Sequence, residues 1–230
     1  IRDSYCNPIQ YAEHRKTLEN VICTAGKFGA THVSTFAGAW EGKPVESAYE
    51  EFGKVFRELA DLAEEKGVKL GIENCLMDGT WEHATCNIGF NPKAWEVMFE
   101  EVKNDNFGLE WEPTHQMVQL IDPVTELRKW CKKIVHIHGK DATIDWDAVR
   151  HSGISGAVPF VWHRMPGFGD TNWRDIISIL RSNGYEDDIC IEGYHDPVYS
   201  GELEMTGQLH ALNYLKWCRG GDFTQTPWEK

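Results

Sequence analysis

Short apolar runs recur along this chain between segments of helical period, and that alternation restricts the fold more than any other feature. Candidate strands fall at Thr31–Gly38, Val68–Cys75, Asn106–Trp111, Lys133–Lys140, Val158–Trp162 and Asp188–Gly193. The intervening segments carry apolar residues at helical spacing: Tyr49, Phe52, Phe56, Leu59 and Ala63; Trp173, Ile176, Ile177 and Leu180; Met205, Leu209, Leu212 and Leu215. All three stripes are expected to face a core. Gly67 and Gly184 follow two of these helices, where a left-handed cap turns the chain into the next strand. Repeated βα units of this kind build a parallel sheet. A closed (β/α)8 barrel commonly runs to about 250 residues without dividing, so a 230-residue chain predicts one barrel domain over 1–230. The six strands and a remnant at Ile1–Cys6 fall short of eight. An open parallel sheet would expose unpaired edge groups, so the expectation is a barrel that lacks its first βα unit in this chain. His151–Val158, with Gly153 and Gly156, reads as a loop, and Gly220–Lys230 as an irregular tail.

Charge narrows the partners. A net charge of −13 opposes nucleic-acid phosphates and anionic lipid, so a small neutral substrate or a bound cation is expected, with no nucleic acid and no membrane. No apolar run approaches the about 20 residues that span a bilayer. The 7 cysteines are odd in number and contain no CxxC pair, which predicts reduced thiols and a cytoplasmic setting. The opening IRDSYCNPIQ has no secretion-signal pattern and reads as an internal segment. Assembly into a homo-oligomer is compatible with the composition.

The parity of each strand says which side chains face the barrel interior. With Val68, Leu70 and Ile72 toward the helices, Lys69, Gly71 and Glu73 face in. With Phe107, Leu109 and Trp111 out, Glu110 and Glu112 face in. With Val135 and Ile137 out, His136, His138 and Lys140 face in; with Ile189 and Ile191 out, Cys190 and Glu192 face in. Four strands thus aim ionisable residues at the C-terminal end, where barrels of this kind build their active sites. Buried carboxylates cost several kcal/mol unless paired or metal-bound, and glutamates around one histidine cannot neutralise each other. A divalent cation would, and an oxygen-rich set with one imidazole suits Mn²⁺, Mg²⁺ or Co²⁺, with Zn²⁺ also admissible. Taken singly, a strand-end glutamate is more often a solvated rim residue; the convergence is what points to function. His136 reads as a core histidine, Glu110 as a support behind the ligands, and Lys140 with Asp141 as an ion pair.

At this point the sequence resembles the sugar phosphate isomerase/epimerase family, the xylose isomerase-like TIM barrels. The resemblance rests on GIEN (71–74), GLEWEPTH (108–115), HIHGKDA (136–142), RMPGFGDTNW (164–173) and GYEDDICIEGYHDP (184–197), in the family's order over nearly the whole chain. It implies metal ligation by Glu73, Glu112, His138 and Glu192, and substrate contacts by His115 and Arg164. One departure stands out. The family usually has Asp where this chain has Glu112, so the longer ligand must kink, shift the metal or bind through water.

The resemblance also implies chemistry on a sugar or polyol: proton abstraction next to a carbonyl through an enediolate, with Glu73 and Glu192 as bases on opposite faces. Isomerisation or epimerisation is the leading expectation, and an inosose-type dehydratase on the same metal site is the alternative. Trp162 is a candidate for stacking on a sugar ring. His195 and Asp196 follow Glu192 and either cap the site or finish the strand. A non-catalytic sugar-binding barrel is a rival from another class. An abasic-DNA endonuclease would call for more histidine ligands and a basic surface.

Overall fold

The computed structural model of the chain describes residues 6–221; the strand remnant proposed at Ile1–Cys6 lies, apart from Cys6, outside them, as does most of the Gly220–Lys230 tail. Helices are α1 (Ala12–Ala25), α2 (Tyr49–Glu65), α3 (Pro92–Glu101), α4 (Pro113–Met117), α5 (Pro123–Trp130), α6 (Trp146–Ser152), α7 (Trp173–Ser182) and α8 (Glu204–Arg219). Strands are β1 (His32–Thr35), β2 (Lys69–Glu73), β3 (Phe107–Trp111), β4 (Ile134–Gly139), β5 (Asp141–Ile144), β6 (Val161–Arg164) and β7 (Ile189–Ile191). The chain divides into two compact units, one running to His138 with Asp187–Cys190 added, the other comprising Gly139–Glu186 and the chain from Ile191.

The first unit is built on the sheet β1-β2-β3-β4-β7, with parallel pairing from β1 through β4. Its helix-facing side is apolar: Val33, Leu70, Ile72, Phe107 and Leu109 are buried. Helix α2 buries Phe52, Val55, Phe56, Leu59, Ala60 and Ala63, and Phe52 and Phe56 stack at 4.6 Å with both rings near Phe107. The helix ends as its sequence predicts. Gly67 takes φ 69°, and Val68 N–H donates to Ala63 O at 3.0 Å, closing the six-residue bond of a left-handed cap. Gly184, at φ 76°, does the same after α7, where Tyr185 N–H reaches Leu180 O at 3.0 Å.

One parity assignment fails, for a definable reason. The β3–β4 register shifts between Leu109 and Glu110: Leu109 pairs with Ile134, but Glu110 pairs with His136. Val135 is the extra residue of this bulge. Expected on the helix side, it instead packs over glycines of β2 and β3, where an added Cβ on Gly71 or Gly108 would lie 2.8 or 2.7 Å from its methyls. His136 and His138 keep the inward direction expected of them.

In the second unit, the run expected as a parallel strand at Val158–Trp162 is displaced to Val161–Arg164 and pairs antiparallel with β5, Asp141 opposite Arg164 and Ile144 opposite Val161. The chain turns back because Asp145 caps α6, its carboxylate accepting Ala148 N–H at 2.8 Å, while its own N–H reaches Phe160 O at 2.8 Å. His151 and Ser152, expected in a loop, complete that helix. Helix α7 buries Trp173, Ile176, Ile177 and Leu180 as expected. Helix α8 does not follow its stripe. Met205, Leu209 and Leu212 are 75%, 59% and 40% exposed; of the four expected residues Leu215 alone is buried, together with Gly207 and Ala211. The helical period is right and its phase is wrong: a Cβ on Gly207 would stand 2.6 Å from Tyr199 Cβ, so the small residues set the approach. Among the described residues no helix is long and apolar enough to cross a membrane.

A candidate metal centre

In the first unit, the C-terminal strand ends carry the polar residues. Glu73 closes β2, Glu112 follows Trp111 at the end of β3, and His138 lies near the end of β4. Glu112 is also the residue before α4, with Pro113 in the first turn, where its fixed φ suits a helix start. That turn returns His115 to the side of Glu112, three residues on. His115 Nε2 lies 3.2 Å from Glu112 Oε1 and 3.7 Å from Glu73 Oε1. His138 Nδ1 faces the same carboxylates, 3.6 Å from Glu112 Oε2 and 4.0 Å from Glu73 Oε1, while His138 Nε2 is 3.0 Å from Glu110 Oε1. Glu110 therefore stands behind His138, and such a carboxylate fixes which ring nitrogen an imidazole offers.

Two buried asparagines that were not anticipated hold these strand ends. Asn74 brackets Glu112: its amide donates to Glu112 O at 2.9 Å and its oxygen accepts Glu112 N–H at 2.7 Å. Asn87 donates to Glu73 O and Cys75 O at 2.9 and 2.8 Å, and accepts from Ala37 and Gly89 N–H. Asn74 lies inside the GIEN motif, whose spacing was legible; nothing local marks Asn87.

The electrostatics are those of a cation-seeking site. Glu112 is 0% exposed, and a buried carboxylate beside a second one needs positive charge. His115 answers that need in the structure. Burial alone would lower its pKa, but Glu112, then Cys75 and Glu73, carry it up to about 10, so it is an imidazolium at neutral pH. Glu110 is held below its usual value: burial pushes it up, and the His138 contact outweighs that. Glu73, Glu112 and His138 each offer a ligand atom within a 4.8 Å group. Two carboxylates and an imidazole at that spacing fit a divalent cation by chemistry and by charge.

The second unit holds the remaining sequence-selected residues. Glu192 accepts from Lys140 Nζ at 3.1 Å, and Glu192 N–H donates to Gly139 O at 3.1 Å. Lys140 is thus engaged with Glu192, and Asp141 has a different role from the ion pair expected of it: its carboxylate accepts N–H groups of Ala142, Gly167 and Thr171. Asp196 is a staple. It accepts Val198 and Tyr199 N–H on Oδ1, and Met165 N–H at 2.7 Å with Arg164 Nε at 3.3 Å on Oδ2. Arg164 also lies 5.8 Å from the Phe168 ring. Trp162, on β6, is 44% exposed.

Parallel strands alternating with helices, ending in carboxylates and imidazoles at ligand spacing, define an α/β chain of the barrel class with a metal-competent centre. A family model described as "Xylose isomerase-like TIM barrel" matches residues 6–216, and the chain belongs to that family. A curated relative, the inosose dehydratase of Clostridium tetani, is 26% identical over 182 residues, 77% of this chain and 57% of the relative. The chain therefore spans little more than half the length of that relative. Two solved structures share the fold: an IolI protein with a bound zinc atom, at TM-score 0.64 and 20% identity over 90% of this chain and 68% of its own, and a D-psicose 3-epimerase, at TM-score 0.66 and 16% identity over 91% and 72%.

Proposed function

We propose that this chain carries the catalytic centre of a divalent-metal-dependent enzyme that removes a proton next to the carbonyl of a cyclic polyol ketone and expels water from the neighbouring carbon. The observation that carries this is the placement of His115 Nε2 within 3.2 and 3.7 Å of two carboxylates, which sets a proton donor beside a base. Glu73, Glu112 and His138 are the ligands from the first unit. Glu192 is the fourth, a role that rests on its strand parity and on its match to the family motif. The cation, Mn²⁺, Mg²⁺, Co²⁺ or Zn²⁺, would polarise the substrate carbonyl oxygen as a Lewis acid.

The chain's own residues supply the proton transfers. A Glu73 oxygen takes the proton from the carbon next to the carbonyl. The electron pair left behind forms the new C=C bond as the C–O bond of the next carbon breaks, and His115 Nε2 gives its proton to the departing hydroxyl, which leaves as water. Arg164, held by Asp196, presents a guanidinium to a substrate hydroxyl, and Trp162 offers a ring to the apolar face of the substrate.

Elimination thus precedes epimerisation, the reverse of the order suggested by the motifs alone. His115 and the likeness to an inosose dehydratase support it. Epimerisation is the second proposal, and it would use Glu192 to return the proton on the opposite face. The test is a panel of inososes and keto-sugars with Mn²⁺ in D₂O, followed by mass spectrometry and by ultraviolet absorbance of the conjugated product. Loss of one water, abolished by Glu73→Gln and slowed by His115→Asn, is expected. Deuterium wash-in without water loss would leave epimerisation standing, and turnover unaffected by chelator would sink both.

A further inference from the structure

We propose that His32, Glu110 and His136 form a second divalent-cation site, of the two-imidazole, one-carboxylate kind, in the interior of the first unit's sheet. None of the three is among the ligands assigned above, and the inference does not depend on the reaction proposed there.

Three strands bring the residues together. Glu110 on β3 and His136 on β4 are direct register partners, placed on one face by the bulge that takes up Val135. His32 on β1 is two strands away from β3 in the sheet order, yet its ring stacks on that of His136 with centroids 4.0 Å apart and planes 22° from parallel. One ligand atom from each of the three residues lies within 4.8 Å of the others. Glu110 is 5% and His136 8% exposed, a depth at which a carboxylate needs a positive partner. One Glu110 oxygen is engaged by His138 Nε2; a carboxylate has a second, and that one can face a cation.

Two imidazole nitrogens and one carboxylate oxygen make the donor set of three-ligand zinc sites, which keep a fourth position for water. A cavity of about 290 Å³ reaches one of the three, Glu110, with Ser34, Thr35 and Glu73 also in its lining. Because it also supports His138, Glu110 would link the two centres: a cation that draws on one of its oxygens holds the other against the His138 ring. The nitrogen-rich set also predicts a different preference, Zn²⁺ or Co²⁺ here against Mn²⁺ or Mg²⁺ at the carboxylate-rich centre.

The experiment is a Co²⁺ titration of the full chain after chelator treatment, with visible absorption of the bound ion and metal analysis of the desalted protein. Two equivalents per chain are expected for the wild type, one for His136→Gln, and one for Glu112→Gln. His136→Phe, which keeps the ring stack but removes the donor, serves if His136→Gln fails to fold, and circular dichroism checks each variant. Two equivalents retained in the His136 variant would overturn the second site. So would a single wild-type equivalent that Glu112→Gln abolishes, while leaving the first centre intact. A single equivalent that survives Glu112→Gln and vanishes with His136→Gln would establish the second site and overturn the first.

Discussion

Asp196→Ala removes the acceptor that ties the loop after Glu192 to the end of β6. Asp196 is 2% exposed, and its carboxylate receives three backbone N–H bonds at 2.7 to 2.8 Å, with Arg164 Nε at 3.3 Å. A buried donor left without a partner costs about 1–3 kcal/mol. Val198 is 50% exposed, so water recovers part of the loss there, and a net destabilisation of about 3–5 kcal/mol follows. For a chain of this size each kcal/mol moves Tm by about 2–4 °C, giving a fall of about 6–20 °C. The staple also holds its neighbour His195 at φ 73°, a left-handed conformation that a non-glycine residue keeps only when its surroundings enforce it. The pH dependence gives an independent check. Burial alone would raise the Asp196 pKa, but the N–H groups of Tyr199, Met165 and Val198, with Arg164, bring it below its usual value. A depressed carboxyl contributes stability that is present above its unfolded pKa of about 3.9 and is lost as pH falls toward the folded value. Urea unfolding should therefore show a wild-type advantage that is constant near neutrality and shrinks below about pH 4. A Tm within 2 °C of wild type, or a gap that does not change in acid, would refute the reasoning.

Asn74→Ala should lower metal affinity by about 10- to 100-fold, the range for residues that orient ligands, with little change in the retention of Glu73; calorimetric titration with Mn²⁺ reads it, and unchanged affinity would remove Asn74 as the clamp on Glu112. The metal-free chain should lose stability as pH rises from about 6.5 to 10, because the raised His115 pKa of about 10 gives stability that is full below the unfolded value and gone above the folded one. Glu112→Gln removes the largest raising influence, so its stability should vary less over the same interval in chemical denaturation; an identical slope in both proteins would contradict the Glu112–His115 coupling.

The sequence exposes what burial makes expensive. Glu73, Glu110, Glu112 and His138 were found by parity because an ionisable side chain on the inward face of an apolar strand is conspicuous, and the structure brings the four into one set of contacts. Gly67 and Gly184 were legible because only a left-handed cap serves after those helices. The strand at Val158–Trp162 was misplaced because its apolar run carries no sign of its partner; the pairing depends on Asp141–Ile144, which reads as the tail of the preceding strand until Gly139 and Lys140 break it. The phase of α8 was missed because Met205, Leu209 and Leu212 look like a core stripe, whereas close approach at Gly207 decides which face is covered.

The least legible parts are the neutral ones. Asparagine in a sequence reads as turn punctuation, so Asn74 gives no warning that it grips the backbone of Glu112 by both its N–H and its carbonyl. With that peptide fixed, Glu112 extends its carboxylate from a held backbone. Its carboxylate then straddles two imidazoles, Oε1 toward His115 and Oε2 toward His138, a span that depends on reach as well as on charge. That reach starts from a backbone held by an amide pair that charge counting and parity both pass over.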